Sequence, residues 1–308
     1  MKVLHVIPGI APRYGGPSQA IRQMCRALQS EGIEVLIATT DADRESRLGV
    51  ELGKPLLYEG LPTIFFPRQI SEAFKYSHLL ARWLRSNVSD FDVVHIHAVF
   101  SHSSLAAANA CMRQKIPYIV RPLGSLDPWS LRQRRFAKQI LFRMGVFNML
   151  NGASAVHYTT SAEKQLAEDA LGIRGGVIIP LGVDQELFRA PAENIRDLFP
   201  QLANSPYILV LSRIHHKKNF EALVKVFSVM SKQEEYKEWK LVIAGDGERD
   251  YIANLKQLAF EKCGDRVFFA GWLDGVRKAA MLHGAELFAL PSFQENFGLS
   301  VVEALVCG

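Results

Sequence analysis

The chain has 308 residues, 48% of them hydrophobic and 22% charged, and 36 basic side chains against 31 acidic ones leave a net charge of +5. That is apolar material for about two domain cores, in the composition of an ordinary globular protein. The mild charge suits an anionic ligand or an anionic membrane surface and does not by itself point to nucleic acid. Cys25, Cys111, Cys263 and Cys307 lie far apart with no C-x-x-C spacing. This argues against a zinc site or a disulfide framework and for free thiols in a reducing, cytoplasmic compartment. No apolar stretch reaches the roughly 18 residues of a membrane-spanning helix. The opening MKVLHVIPGI breaks at Pro8-Gly9, too soon for a secretory signal.

In chain order, short apolar runs alternate with amphipathic stretches. Residues 2–7 read as a buried strand, followed by the glycine- and proline-rich loop PGIAPRYGGP. Ser18 is then the expected N-cap of a helix to residue 29, with Ala20, Ile21, Met24 and Leu28 on one face. Further strands are expected at 34–39, 63–66, 93–96, 118–121, 155–158 and 177–179, with helices near 71–86, 102–114, 129–149 and 162–170. The stretch LGVDQELFRAPAENIRDLFPQLANSP is polar, carries three prolines and shows no sustained period, so a linker is read at 182–205. The alternation then restarts, with strands at 207–211, 241–244, 267–269 and 286–290 and helices near 220–231, 250–262, 275–283 and 298–306. Apolar, unalternating strands between helices mean parallel sheets covered on both faces. The predicted fold is therefore α/β, with two doubly wound Rossmann-like domains at 1–181 and 206–308. The expected site is a cleft facing the carboxyl ends of their strands.

Five stretches carry residues suited to chemistry. ENFGLSVVEAL sets Glu295 and Glu303 eight positions apart around Phe297-Gly298. If Gly298 opens a helix, Glu303 stands about 7–8 Å along its axis from the loop that carries Glu295. Read alone, Glu295 fits a plain loop residue and Glu303 a solvated helix face equally well. SRIHHKKN places Arg213 and Lys218 after a strand, where two cations can neutralise a diphosphate. Gly15-Gly16 lies between the first strand and helix, where backbone can approach a phosphate, though G-x-G-x-x-G is absent. DVVHIH ends a strand on His97, which is expected to point into the cleft; His95 reads as packing, and a metal cluster of His95, His97 and His102 is disfavoured. Finally, Arg132, Arg134, Arg135, Lys138 and Arg143 interleave with apolar residues in WSLRQRRFAKQILFRMG. That basic amphipathic helix fits an anionic membrane surface, an anionic acceptor or a solvated face.

Together, ENFGLSVVEAL, SRIHHKKN, IAGDGE, VIIPLGVD and the glycine-rich first loop resemble family 4 of the retaining glycosyltransferases, which have the two-domain GT-B fold. The resemblance runs over nearly the whole chain. It implies a retaining, metal-independent transferase that uses a nucleotide-diphosphate sugar as substrate, with no cofactor. It gives Arg213 and Lys218 the donor diphosphate and Glu303 the ribose. Glu295 takes the donor sugar, with the backbone of Asn296, Phe297, Gly298 and Leu299 beside it. Gly15 and Gly16 meet the diphosphate, and His97 lies by the reacting bond. RPLGSLDPWS and the basic helix are expected on the acceptor side.

Ser212 and Asn219 stand where the family has glycine. Family members also continue past EALVCG, which implies a second domain truncated at its C-terminus. The expected acceptor is a glycan or lipid-linked glycan of cell-surface polysaccharide synthesis, with peripheral contact at the inner face of the membrane and no nucleic-acid partner. The alternatives are an epimerase or hydrolase of sugar nucleotides on the same fold, or an inactive nucleotide-binding relative.

Overall fold

The computed structural model describes residues 1–173, 175–189, 195–202 and 205–308. The chain divides into two compact units, Met1–Gly182 and Val183–Gly308. The first is built from β1 (Lys2–Val6), α1 (Gly16–Ser30), β2 (Glu34–Thr40), β3 (Ala42–Asp43), β4 (Ser46–Arg47), β5 (Pro55–Tyr58), β6 (Leu61–Phe66), α2 (His78–Asn87), β7 (Val93–His97), α3 (His102–Gln114), β8 (Tyr118–Arg121), α4 (Pro128–Arg132), α5 (Arg135–Leu141), α6 (Phe147–Asn151), β9 (Ala155–Tyr158), α7 (Ser161–Leu171) and β10 (Gly176–Ile178). Its main sheet has the order β10-β9-β8-β7-β1-β2-β6-β5 and is parallel except for the edge pair β5–β6. Leu4, Val6, Val94 and Ile96 face Leu80, Leu84, Ala107 and Cys111 of α2 and α3. On the opposite face Ile37 and Phe65 pack on Ile21 and Cys25 of α1. Burial on both faces is why these strands show no polar alternation.

The second unit holds α8 (Gln185–Arg189), α9 (Ile195–Leu198), β11 (Tyr207–Leu211), α10 (Phe220–Met230), β12 (Lys240–Ala244), α11 (Arg249–Cys263), β13 (Val267–Gly271), α12 (Gly275–His283), β14 (Leu287–Phe288) and α13 (Leu299–Cys307). Its four strands are parallel, in the order β13-β12-β11-β14. Ile208, Val210 and Ile243 pack against Phe220, Val224, Phe227 and Leu255. Leu209 and Val242 pack on the other side against Phe188, Met281 and Leu282.

Several elements differ from expectation for local reasons. The N-cap of α1 is Gly15, at φ 70°, ψ −130°, three residues before the expected Ser18. Ser18 is buried and donates its hydroxyl to the Ala11 carbonyl at 3.0 Å. Helix α2 starts at His78 because the Ser77 hydroxyl accepts from the Leu80 N–H. The expected long helix 129–149 is split. Arg134 sits in the left-handed region (φ 51°), and the wide turn Phe142–Val146 contains Gly145 with non-helical φ 173°, ψ −21°. The antiparallel edge strand β5 and the hairpin β3–β4 were not expected, and the strand expected at 286–290 shrinks to Leu287–Phe288.

Of the expected linker 182–205, residues 190–194, 203 and 204 lie outside the described residues. Gly182 ends the first unit, and the rest sits with the second, anchored by buried Phe188, Phe199 and Leu202. Aromatic and leucine side chains spaced too widely to form a period can still each fill a core position. All four cysteines are free, and burial pushes the Cys25 and Cys111 thiols up to about 12. No helix among the described residues is long and apolar enough to cross a membrane.

Candidate functional site

In an open parallel sheet, the loops that diverge at a reversal of strand order leave a crevice at the carboxyl ends of the strands. In the second sheet that reversal falls between β11 and β14, since the chain passes from β11 to β12 on one side and returns to β14 on the other. The loop after β11 carries Arg213 and Lys218, and the loop after β14 carries Glu295. Topology thus joins residues 77 positions apart: Lys218 and Glu295 form an ion pair. The Phe293 N–H donates to the Lys217 carbonyl at 3.0 Å, which docks one loop on the other. Ser292 donates its hydroxyl to Glu295 at 3.4 Å, and the Asn296 N–H donates to Glu295 Oε1 at 3.3 Å. Arg213 is exposed on the same loop as Lys218.

The Arg213 loop is held from behind by the GDG turn. Ser212 N–H donates to the Ala244 carbonyl at 3.1 Å and Ile214 N–H to the Asp246 carbonyl at 2.9 Å. A Cβ on Gly245 would fall 1.9 Å from the Ser212 oxygen, and one on Gly247 would fall 2.1 Å from the Ile214 oxygen. Both positions therefore need glycine for close backbone approach. Asn219 takes left-handed φ 56°, ψ 42° at the start of α10. Asparagine is among the side chains that tolerate this region best, which explains how it stands in for the family's glycine.

Gly298 also has left-handed φ and ψ, 72° and 53°, and opens α13 as expected. Phe297 and Leu299 flank it on the same loop and first helical turn. Glu303 is no solvated helix face: it is 2% exposed and accepts from Lys278 Nζ at 2.7 Å. Lys278, on α12, is itself buried and lies 5.1 Å from the Phe188 ring centre. Sequence reading missed Lys278. The available signal was a lysine within the buried run Lys278–Leu282, on the same helical face as Leu282.

In the first unit the order reverses between β1 and β7, and His97 ends β7. It was expected to point into an open cleft; it is instead fully buried in a histidine cluster. The parallel registers place His5, His95, His97, Arg121 and His157 on one sheet face. His5 Nδ1 and His97 Nε2 share a hydrogen bond at 3.1 Å, and His157 Nδ1 and His95 Nε2 share one at 3.3 Å. Burial, reinforced by the Arg121 charge, lowers His5 to about 3. Burial and the neighbouring histidines and Arg121 likewise hold His95 and His97 well below the usual range. His5, His95 and His97 offer ring nitrogens within 4.8 Å of one another, a donor set suited by type to a transition metal. The buried Arg121 charge on the same face opposes a dication there. His102 lies apart, its Nδ1 accepting from the Ser77 N–H at 3.2 Å.

Gly15 and Gly16 form the turn into α1. Behind RPLGSLDPWS stands buried Glu163, which accepts from Gly124 N–H and Thr159 N–H, each at 2.8 Å. Asp127 caps α4 by accepting from Ser130 N–H at 2.9 Å.

Two doubly wound α/β units, each with its candidate residues at the carboxyl ends of parallel strands, define a protein of the GT-B class. The chain belongs to family 4 of the glycosyltransferases: residues 15–182 match the glycosyl transferase 4-like domain and residues 193–308 match the glycosyl transferases group 1 family. It is 26% identical to the alpha-monoglucosyldiacylglycerol synthase of Streptococcus pneumoniae, over 96% of this chain and 67% of that one. It is 27% identical to a D-inositol 3-phosphate glycosyltransferase of Xylanimonas cellulosilytica, over 96% of this chain and 74% of the relative. Anabaena HepE, solved in complex with UDP and glucose, has the same fold, with a TM-score of 0.76 at 21% identity over all of this chain and 78% of HepE.

Proposed function

We propose that this glycosyltransferase moves a sugar, with retained configuration and without a metal ion, from a nucleotide-diphosphate sugar to a hydroxyl of a glycan or lipid-linked acceptor. The observation that carries this reading is the meeting of the Arg213–Lys218 loop with the Glu295 loop at the strand-order reversal of the second sheet. Lys218 and Glu295 pair with each other there. A diphosphate that takes Lys218 leaves the Glu295 carboxylate to a sugar hydroxyl. Arg213 and Lys218 then stabilise the leaving diphosphate as the glycosidic bond breaks, which is where negative charge develops. The backbone of Asn296, Phe297, Gly298 and Leu299 lies beside the sugar, and Glu303 takes the ribose. HepE's bound UDP and glucose support the donor class, and the glucosylated diacylglycerol in the name of one relative supports a lipid-linked acceptor. The free cysteines suit a reducing, cytoplasmic setting, and synthesis of cell-surface polysaccharide is the process we assign.

The test is to incubate the chain with a panel of nucleotide sugars and hydroxyl acceptors in EDTA, and to read the anomeric configuration of the product by NMR. Retained configuration and EDTA-resistant turnover are expected. An inverted product, sugar release that ignores the acceptor, or turnover abolished by EDTA and restored by manganese overturns the reading.

A further inference from the structure

The segment from Pro128 to Ala162 carries Arg132, Arg134, Arg135, Lys138 and Arg143 and no aspartate or glutamate, so these five cations equal the net charge of the entire chain, +5. The structure shows how this charge is displayed. Lys138 turns inward, donating to the Ser130 carbonyl at 2.6 Å and lying 4.9 Å from the Phe100 ring centre. The four arginines stay exposed.

Between them, large apolar side chains stand out of the surface: Phe136 is 81% exposed, Ile140 59%, Met144 75% and Phe147 47%. Phe136 and Ile140, four residues apart, share one side of α5, and Met144 and Phe147 follow on the wide turn after it and the start of α6, on either side of the break at Gly145. Arg135 and Arg143 each precede a protruding apolar residue by one position, so a cationic flank runs beside the apolar stripe. The opposite side of the same segment is anchored by buried Val146, Met149 and Leu150. The stripe is therefore surplus to the core, held on a fixed base.

We propose that this face docks the protein on an anionic lipid bilayer, with Phe136, Ile140, Met144 and Phe147 entering the headgroup boundary and Arg132, Arg134, Arg135 and Arg143 meeting lipid phosphates. Protruding apolar residues beside cations match the requirements of an interfacial helix. A second copy of this chain is a poor occupant, because it would bring the same uncompensated positive segment to the contact. The inference rests on exposure and charge alone and stands whichever sugar the protein transfers.

The test is co-sedimentation of the chain with vesicles of phosphatidylcholine alone and of an equal mixture of phosphatidylcholine and phosphatidylglycerol. Binding to the mixed vesicles, weakened by salt, is expected, with little binding to the neutral ones. Arg135→Gln with Arg143→Gln should lower the partition coefficient about 30-fold at low salt, from two lost headgroup attractions. Phe136→Ser with Met144→Ser should lower it as well while leaving the melting temperature unchanged, since neither side chain is in the core. Equal binding to both vesicle types, no binding to either, or binding that both double variants retain overturns the proposal. Self-association that the serine pair abolishes, without vesicle binding, would instead assign the face to a second copy.

Discussion

At the scale of single residues, the two glutamates of the closing motif differ in what surrounds them, and the difference predicts different losses. Lys218 and Glu295 are partly exposed, and an ion pair in that setting contributes about 0–1 kcal/mol to stability. Lys218→Ala should therefore leave melting nearly unchanged. Its cost should fall on ligand: a lost charge-assisted bond to phosphate weakens nucleoside-diphosphate binding about 10- to 150-fold, and nucleoside binding much less. Glu303 is buried against Lys278, so Lys278→Met should cost about 3 kcal/mol or more in stability. Glu303→Gln should weaken nucleoside and diphosphate alike. Calorimetric titration of the variants with both ligands checks this, and equal losses of nucleoside affinity for Lys218→Ala and Glu303→Gln would show the roles misassigned. The sequence disclosed both glutamates through their spacing and marked Lys278 only as a lysine on a buried helical face; its pairing with Glu303 depends on how two helices pack, which no local pattern encodes.

The buried histidines add a dependence on pH at the same scale. His5 titrates near 6.5 when unfolded and at about 3 when folded. As pH falls between those values the unfolded chain gains a proton that the folded chain refuses, so stability drops as the solution is acidified. By about pH 5 His5 alone should remove about 2 kcal/mol, and His95 and His97 act in the same direction. Urea unfolding at about pH 7 and about pH 5 measures it, and His5→Gln should flatten part of the slope. Stability unchanged over that range would show that these rings are not held neutral. From the sequence His97 alone looked functional. His5 and His157 come from β1 and β9, and only strand order brings them to His95 and His97 on β7.

At the scale of elements, the turn between β12 and α11 shows why a short glycine pattern can mark a site without touching it. Gly245 has φ 142°, and a Cβ there would strike the Ser212 carbonyl, one residue from Arg213. Gly271, with φ 70°, has nothing within 4 Å of its would-be Cβ. Gly271→Ala should thus cost only the left-handed strain, about 1–2 kcal/mol. Gly245→Ala must also push back the strand that presents Arg213. It should cost more stability and lower diphosphate affinity, whereas Gly271→Ala should spare affinity. Comparable unfolding curves and affinities for the two variants would refute the supporting role. Most strands and helices were legible because their apolar runs are long and bounded by glycine, proline or capping residues. The edge strand β5, the hairpin β3–β4 and the short helices in 183–202 were not, because each is short and is fixed by the surface it packs on.

At the scale of the molecule, each unit has its own sheet and its own buried clusters, so a ligand held by one stabilises that unit first. Two tryptophans report on each: Trp83 and Trp129 lie in the first unit, Trp239 and Trp272 in the second. The proposed diphosphate contacts, Arg213 and Lys218, belong to the second. A bound nucleoside diphosphate at 100 times its dissociation constant adds about 2.7 kcal/mol to the state that binds it. Variants with Trp83→Phe and Trp129→Phe leave only the second unit's fluorescence. Their urea midpoint should rise with the diphosphate by the amount the ligand concentration dictates. The converse variants, Trp239→Phe with Trp272→Phe, should shift less unless the two units unfold as one. If, as proposed, the two side-chain cations and not a bound dication meet the phosphates, the shift should persist in EDTA. It should disappear in Arg213→Ala with Lys218→Ala, whose ligand-free midpoint should stay close to that of the parent. A shift that vanishes with EDTA and returns with manganese would move the charge of the site from these side chains to a metal ion, and the double variant that kept the shift would exclude the β11 loop from the phosphate site altogether.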